Sequence, residues 1–418
     1  MDKLLIEGNS RLSGTVKISR AKNAYLPILA AVLVSDKPIK LKNLPDLRDI
    51  RTMLRLLQNL GVKIDDHGEY TSFDASQLTS HQATYELVKT MRASIFVLGP
   101  LLARLGKAKV SLPGGCAIGT RPIDIHLKNL EKLGAKFNIS SGYVESTECS
   151  FKACHLPLSF PSVGATENLM MASIFTEGET IIENAAREPE ITDLANFLNA
   201  MGASIKGAGT SKIIITGVDE LHEVEYEAIA DRIEGATYIF GALMTESEVR
   251  VEGIDPGHIE LVLDTLKEMG ANLEIGKNFV QVRPSKLSPV KIKTAPYPGF
   301  PTDLQAQMMA LMTKIPGNSY IEENIFENRF MHVPELIRLG AKIDLNGNCA
   351  FIEGGHPLKA APVMCTDLRA SAALVLAALV SEGETEVRRV YHLDRGYERL
   401  DQKLNSLGAK VKKVNDEI

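Results

Sequence analysis

The chain contains 418 residues, enough for two or three globular domains. Hydrophobic residues make up 44% and charged residues 24%, which is ordinary for a folded protein and excludes a disordered chain. The formal net charge of -5 argues against a nucleic-acid-binding protein, because such proteins usually carry a basic surplus. It leaves room for a small anionic ligand, since a few Lys and Arg side chains are enough to bind one.

Neither a targeting segment nor a disulfide framework is expected. The first apolar run, Leu4 to Ile6, is too short for a secretory signal peptide. The longest apolar stretches, such as residues 370–380, are too short to cross a bilayer, so we expect no membrane association. Five cysteines in a chain of this length, without a CxxC pair, predict a reducing, cytoplasmic compartment and no metal site.

One short pattern recurs six times: Leu or Met, then Gly, then Ala or Val, then the start of a strand. The apolar residues before each glycine fall on one helical face. Each glycine is therefore predicted to end an amphipathic helix with a left-handed backbone. By difference of their numbers the glycines lie 68 to 73 residues apart: Gly61, Gly134, Gly202, Gly270, Gly340 and Gly408.

A second recurring element is a helix that is apolar almost all round, which is typical of a buried helix. We expect each unit of about 70 residues to hold one amphipathic helix, one buried helix and several short strands, giving an α/β fold. Six such units make two domains of three. The predicted buried helices are 24–34, 93–103, 165–175, 236–244, 304–312 and 370–380.

The residues that open these buried helices are unusually polar. A helix N-terminus carries free N–H groups and partial positive charge, so it attracts anions. Capping alone accounts for Thr302 and Asp367. A cation such as Lys22 or Arg92 at a helix start is unfavourable without an anion nearby, so these two predict an anion-binding site.

A lone thiol lies in the most distinctive segment, residues 111–122, whose three glycines and two prolines predict an irregular loop. A lone cysteine is usually an inert buried side chain. Between glycines and close to Arg121, however, Cys116 is expected to be exposed and easily ionised, as a nucleophile or proton donor requires.

Two further segments each leave two interpretations open. Asp303 follows a Pro/Gly-rich loop just before a buried helix, where it serves either as a helix cap or as a general base. Arg395 lies in a charged run, residues 392–399, before the last amphipathic helix. That run is either a solvated helix start or a substrate contact, and Arg395 is the better candidate for contact.

Together these segments resemble the enolpyruvyl transferases, over about residues 5–408. The resemblance implies two similar domains, each an inside-out α/β barrel of three repeated units, with the active site in the cleft between them. It assigns residues 22–229 to one domain and residues 1–21 with 230–418 to the other. The motifs that carry it include Ala21-Lys22-Asn23, Thr90-Met91-Arg92-Ala93-Ser94, Ser162-Val163-Gly164-Ala165-Thr166, Asp303-Leu304-Gln305-Ala306-Gln307 and the Cys116 loop.

The resemblance implies transfer of the enolpyruvyl group of phosphoenolpyruvate to the 3′-hydroxyl of UDP-N-acetylglucosamine, the first committed step of bacterial peptidoglycan synthesis. No cofactor or metal is implied, and the partners are the two small substrates. Members of the family that act on 3-phosphoshikimate carry a Ser-Lys-Ser segment instead of Ala21-Lys22-Asn23. Transfer to 3-phosphoshikimate remains the alternative activity. A silent paralogue that only binds the nucleotide sugar, and a repeat scaffold, are alternatives of other classes.

The resemblance also implies roles for individual residues. Asp303 is implied as the base and Cys116 as the acid, which can also form a covalent adduct with phosphoenolpyruvate. Lys22, Arg121 and Arg395 are implied to clamp phosphate and carboxylate, with Arg92 nearby, while Asp367 and Arg369 order the site. The residues implied to contact the nucleotide sugar are Asn23, Arg121, Pro122, Ile123, Asp124, Ile125, Ser162, Val163, Gly164 and Ile325.

Three positions depart from the family pattern. Arg20 stands where the family usually has Gly, and Tyr25 where a small residue is common. Gly235-Ala236 replaces the usual Thr-Gly. An extra cation at Arg20 is expected to affect either phosphoenolpyruvate affinity or the hinge between the domains.

Overall fold

A computed structural model describes residues 2–89, 91–112 and 123–415. The described chain groups into two compact units, one of residues 20–112 and 123–229 and one of residues 2–19 and 230–415. The assignment of 22–229 and of 1–21 with 230–418 to two domains stays a prediction. In the described ranges no helix is both long and apolar enough to cross a membrane.

The described strands form six four-stranded sheets with one common pattern. In each sheet the first strand runs parallel to the second, and the remaining neighbours are antiparallel. In the unit of residues 20–229 the strands are, in sheet order, Val224–Tyr226, Ile39–Lys42, Tyr70–Asp74 and Lys63–Asp66; Gln82–Ala83, Lys109–Ser111, Tyr143–Cys149 and Ala135–Ser140; His155–Pro157, Glu179–Glu183, Lys212–Thr216 and Ser204–Lys206. In the other unit they are Ser13–Lys17, Glu248–Glu252, Phe279–Arg283 and Asn272–Ile275; Lys291–Lys293, Gly317–Glu322, Cys349–Gly354 and Lys342–Asn346; Val363–Met364, Glu384–Arg388, Asp2–Glu7 and Val411–Asn415.

Strands from the N-terminus complete two sheets of the unit that contains residues 230–415. Ser13–Lys17 runs parallel to Glu248–Glu252 as the outer strand of one sheet. Asp2–Glu7 lies between two antiparallel neighbours in another, with Leu4 opposite both Val387 and Lys413. The start and the end of the chain therefore belong to one folded unit.

All six predicted buried helices are present, and nearly every residue in them is buried. The second one differs from the prediction, because residues 92–97 form a 3₁₀ helix and the α-helix begins only at Leu98. Pro100 lacks an N–H group and favours a position in the first turn of an α-helix, which fits a helix that begins at Leu98. The buried helices are Lys22–Ala31, continued by the 3₁₀ turn Val32–Val34, Leu98–Leu105, Val163–Ala172, Arg232–Met244, Gln305–Lys314 and Leu368–Val380.

The six predicted glycine turns are confirmed, since each of these glycines has a φ between 97° and 126°. This backbone is costly for residues with a Cβ, which explains why glycine recurs there. The amphipathic helices before them are Arg48–Leu60, Asp124–Leu133, Pro189–Ala200, Glu260–Glu268, Val333–Arg338 and Leu400–Ser406. Shorter helical segments are Tyr85–Val88, Arg92–Val97, Pro256–Ile259, Thr302–Leu304 and Val390–Arg395.

Each unit has its own hydrophobic core around its three buried helices. Two of these helices approach closely at Gly99, whose N–H donates to Asn168 Oδ1 at 2.8 Å. A Cβ on Gly99 would lie 2.4 Å from the backbone oxygen of Asn168. Glycine is needed here because the helix backbones come too close for a side chain.

We predict that Gly99→Ala destabilises the protein by about 3 kcal/mol, since the added methyl group meets backbone rather than a movable side chain. The matched control is Gly241→Ala, also in a buried helix, where the nearest atom is Leu376 Cδ2 at 3.1 Å. That flexible side chain can move, so we expect a loss of at most about 1 kcal/mol. Urea denaturation of both variants measures the difference, and equal losses would contradict the prediction.

Candidate active site

Asp303 lies between two buried arginines in the unit that contains residues 230–415. Its Oδ1 is 2.9 Å from Arg329 Nη2, and its Oδ2 is 3.0 Å from Arg369 Nη2. The arginine side chains are 3% and 4% exposed, whereas that of Asp303 is 28% exposed. The carboxylate is therefore held by buried cations on one side and open to solvent on the other.

The position of Arg369 follows from the cap of its helix, Leu368–Val380. Asp367 Oδ1 accepts hydrogen bonds from the backbone N–H groups of Arg369 at 2.8 Å and Ala370 at 3.1 Å. Asp367 thus caps the helix, while Arg369 points to Asp303. Burial alone would lower the pKa of Arg369, but the combined effects of Asp303, Tyr397 and Asp231 outweigh it and raise the pKa above the ordinary arginine value.

This cluster can support two kinds of chemistry. The two guanidinium groups stabilise the ionised carboxylate of Asp303, which can accept a proton from a hydroxyl group on its exposed side. The same guanidinium groups are suited to a ligand carboxylate, because Arg pairs with carboxylates through directed N–H bonds.

Sequence reasoning missed Arg329 as a site residue. It follows two other polar residues, Glu327 and Asn328, and nothing local distinguishes a buried arginine from an exposed one there. Only the fold brings it 2.9 Å from Asp303.

Ile325 is attached to the Asp303 turn through Glu323. Glu323 Oε2 accepts the hydroxyl of Thr302 at 3.0 Å, and its Oε1 accepts the N–H groups of Ile325 at 2.8 Å and Phe326 at 3.1 Å. Glu323 is only 3% exposed. The structure therefore brings Ile325 and Asp303, two predicted site residues, into one local assembly.

Arg395 ends the 3₁₀ helix Val390–Arg395 and is half-buried. The residue after it, Gly396, packs so closely on the start of the Arg369 helix that a Cβ would lie 2.7 Å from Leu368 Cδ1. Tyr397 then lies beneath Arg369, with the guanidinium carbon 5.6 Å from the ring centroid. The segment that carries Arg395 is thereby fixed against the helix that carries Arg369.

Lys22 opens a buried helix of the other unit, and its Nζ is 3.4 Å from Asp49 Oδ2. The two side chains are 10% and 6% exposed. Asp49 supplies the anion that a lysine at a helix start needs, and sequence reasoning missed it. Asn23, the next residue, is half-buried.

Two further predicted segments of this unit come together at Gly164. Ser162 caps the helix that follows it, accepting the Ala165 N–H at 3.3 Å. A Cβ on Gly164 would lie 3.2 Å from His126 Cε1, and His126 follows directly after the predicted residues 123–125. The helix starts at 123–125 and 162–164 are therefore neighbours, with Asp124 exposed and Ile123, Ile125, Ser162, Val163 and Gly164 partly exposed.

Several predicted residues lie outside the described part of the chain. These are Cys116, Arg121 and Pro122, and the side chain of Arg92. The Arg92 backbone opens the 3₁₀ helix Arg92–Val97. Among residues 2–89, 91–112 and 123–415, no three His, Cys, Asp or Glu side chains form a group that could hold a metal ion.

Arg20 and Tyr25, which depart from the family pattern, both contact the last residues of the unit of residues 20–229. Arg20 Nη2 pairs with Glu227 Oε1 at 2.8 Å. The buried Tyr25 hydroxyl accepts the Ala228 N–H at 3.3 Å and donates to the Lys42 carbonyl oxygen. The ion pair with Glu227 favours a role for Arg20 in fixing the segment where the chain passes from this unit to the other.

A buried carboxylate anchors each segment where the chain passes from one unit to the other. Glu234 Oε2 accepts the Ser19 N–H at 2.8 Å, and Asp193 Oδ2 accepts the Ile229 N–H at 3.1 Å. Burial raises the pKa of Glu234 to about 7, against the opposing effect of Lys403. Burial likewise raises the pKa of Asp193 to about 6.

Comparison with known proteins shows the family to which the chain belongs. A family model described as EPSP synthase (3-phosphoshikimate 1-carboxyvinyltransferase) matches residues 6–404. The chain therefore belongs to this family of enolpyruvyl transferases.

Two full-length relatives show a more specific similarity within the family. The chain is 55% identical to "UDP-N-acetylglucosamine 1-carboxyvinyltransferase 2" of Carboxydothermus hydrogenoformans, over 100% of both chains. It is 52% identical to the UDP-N-acetylglucosamine 1-carboxyvinyltransferase of Acinetobacter baylyi, over 99% of this chain and 100% of the relative.

Solved structures show the same architecture. The enolpyruvyl transferase NikO from Streptomyces tendae superimposes with a TM-score of 0.91 at 27% identity, covering 100% of this chain and 99% of that one. EPSP synthase from Acinetobacter baumannii superimposes with a TM-score of 0.77 at 16% identity, covering 99% and 100%, which shows the fold alone.

We predict a pH dependence of stability from Glu234. Because its pKa is about 7 in the folded state, against 4.5 for an ordinary glutamate, the folded state binds its proton more tightly. The resulting stability is fully present below pH 4.5 and is lost as the pH rises through about 7. Relative to Glu234→Gln, the wild type should therefore gain roughly 2 to 3 kcal/mol between pH 8 and pH 5.

Denaturation of wild type and Glu234→Gln at both pH values measures this gain, since other titrating groups cancel in the difference. A difference that stays constant with pH would contradict the prediction.

Proposed function

We propose that the protein transfers the enolpyruvyl group of phosphoenolpyruvate to the 3′-hydroxyl of UDP-N-acetylglucosamine and releases phosphate. The observation that carries this proposal is the full-length likeness, at 55% identity, to a protein named for that reaction. The solvent-facing carboxylate of Asp303, held by Arg329 and Arg369, supports it, because the reaction needs a base.

The reaction proceeds by addition followed by elimination. In the addition, the 3′-hydroxyl oxygen bonds to C2 of phosphoenolpyruvate, its proton passes to Asp303, and the C3 methylene group gains a proton from Cys116. The tetrahedral ketal then loses a proton from its new methyl group to the Cys116 thiolate, and the C–O bond to phosphate breaks as the protonated Asp303 gives its proton to the leaving phosphate. This restores the double bond and releases inorganic phosphate.

Both substrates are anionic, so cationic side chains are needed to bind them. Lys22, Arg121 and Arg395 bind the phosphate and carboxylate of phosphoenolpyruvate, with Arg92 nearby. Asp367 positions Arg369 through the helix cap. The nucleotide sugar contacts Asn23, Arg121, Pro122, Ile123, Asp124, Ile125, Ser162, Val163, Gly164 and Ile325.

The place of this reaction in the cell follows from its substrates. Transfer to UDP-N-acetylglucosamine is the first committed step of peptidoglycan synthesis, so the protein serves the bacterial cell wall, cell shape and cell division. We place it in the cytoplasm, where its two small substrates are made.

The alternative acceptor is 3-phosphoshikimate, which is named in the matching family model. Two full-length relatives with at least 52% identity are named for the nucleotide sugar instead. A silent paralogue is the weaker alternative, because Lys22, Asp303 and Arg395 are all retained.

The deciding measurement is phosphate release with phosphoenolpyruvate and each acceptor in turn. We expect phosphate with UDP-N-acetylglucosamine and none above background with shikimate 3-phosphate. The reverse result would replace the proposed acceptor. No phosphate with either, together with calorimetric binding of the nucleotide sugar, would favour the silent paralogue.

We also expect the two proton-transfer residues to be needed for turnover. Cys116→Ala should lower kcat at least a hundredfold while the nucleotide sugar still binds, because the acid acts on phosphoenolpyruvate. Cys154→Ala, at a partly exposed thiol of the same chain, is the control and should keep the wild-type rate.

Asp303→Ala should lower kcat at least as much as Cys116→Ala does. In the described chain no other carboxylate lies between Arg329 and Arg369 to act as the base. Asp344→Ala, at an exposed carboxylate of the same unit, is its control. A normal kcat in Asp303→Ala would remove Asp303 from the mechanism.

A further inference from the structure

A cluster of three buried polar side chains lies beneath Asp303, and no role has been assigned to it. We call Thr237, Gln307 and Tyr397 the hydroxyl cluster. Thr237 and Gln307 come from two different buried helices, and Tyr397 follows the segment of Arg395. Thr237, Gln307 and Tyr397 are 1%, 0% and 1% exposed, so all three are shielded from solvent.

The hydrogen bonds of the cluster have one consistent direction. The Thr237 hydroxyl donates to the Ile233 carbonyl at 2.8 Å, so its lone pairs are free to accept. The Tyr397 hydroxyl, 3.0 Å away, therefore donates to Thr237. Gln307 Nε2 in turn donates to the Tyr397 oxygen at 2.9 Å. Burial raises the pKa of Tyr397, which keeps its phenol protonated as this direction requires.

The cluster reaches Asp303 along two routes. Gln307 Nε2 also donates to the backbone carbonyl of Asp303 at 3.1 Å, which holds the turn that carries the carboxylate. The Tyr397 ring lies 5.6 Å from the guanidinium carbon of Arg369, whose Nη2 is 3.0 Å from Asp303 Oδ2. Tyr397 therefore supports both the backbone and the carboxylate of Asp303.

We propose that Tyr397, through Gln307 and Thr237, is a positioning residue that sets the orientation of Asp303 for proton transfer. This inference rests on the proposed function. Proton transfer depends steeply on the distance and angle between base and hydroxyl group. Loss of the Tyr397 hydroxyl should therefore lower kcat and leave substrate binding nearly unchanged.

The first test is Tyr397→Phe, which removes one oxygen atom and keeps the ring beneath Arg369. We expect kcat to fall roughly tenfold or more, with both KM values within about twofold of wild type. The matched control is Tyr238→Phe. Tyr238 is 1% exposed in the same unit, and its hydroxyl has no hydrogen-bond partner in the described chain, so the control should keep the wild-type kcat.

The second test uses Thr237, where a conservative variant can restore the hydroxyl. Thr237→Val keeps the shape but removes the acceptor of Tyr397, so kcat should fall. Thr237→Ser retains the hydroxyl and should recover most of the rate. This pair decides the matter if Tyr397→Phe does not fold, as judged by its circular dichroism and thermal midpoint.

The outcomes separate this inference from the proposed function. The wild type is measured first with both acceptors, and no turnover with either would overturn the proposed function together with the inference. Turnover in wild type with an unchanged kcat in Tyr397→Phe would overturn the inference alone. So would equal rates in Thr237→Val and Thr237→Ser, or a loss that appears only in KM.

Discussion

Six helices of this chain are apolar on nearly every side, and Lys22, Arg232 and Arg369 each lie in the first turn of one of them. Burying an ionised side chain along the body of such a helix is strongly unfavourable, and burial accordingly raises the pKa of Glu167, which lies there. At the first turn, free N–H groups and neighbouring loops can pair with a charged side chain. Asp303, Asp367 and Arg369 all lie at or just before such a turn.

Pairing at these turns determines which residues are available for chemistry. A buried guanidinium group needs a carboxylate, and Asp303 serves Arg329 and Arg369 at once. In the other unit the buried ammonium group of Lys22 is likewise paired with a carboxylate, that of Asp49. The charges that the proposed reaction would use are therefore also charges that the folded chain must neutralise, so structural and chemical roles coincide in the same side chains.

Patterns within one helix or turn could be predicted from the sequence, and pairings between distant residues could not. The glycine turns and the buried helices depend on neighbours within a few residues, so Gly61 and Gly408 could be assigned from periodicity alone. Arg329 and Arg369 lie 26 and 66 residues from Asp303, and no local signal connects them. The 3₁₀ helix Arg92–Val97 at the start of the second buried helix was not predicted. Arg20 and Tyr25 were recognised as unusual, but their contacts with residues 227 and 228 depend on the fold.

The strands contributed by the N-terminus have a consequence for how the protein is made. Asp2–Glu7 leaves the ribosome before residues 20–229, yet both of its neighbours, Glu384–Arg388 and Val411–Asn415, are made after them. At roughly 5–20 residues per second the strand would wait on the order of 20 to 80 seconds with unpaired edges. Residues 20–229 need no strand from outside their own range, so they can fold during that interval. Synthesis therefore allows the unit of residues 20–229 to fold first, and the other unit can be completed only after Val411–Asn415 has left the ribosome.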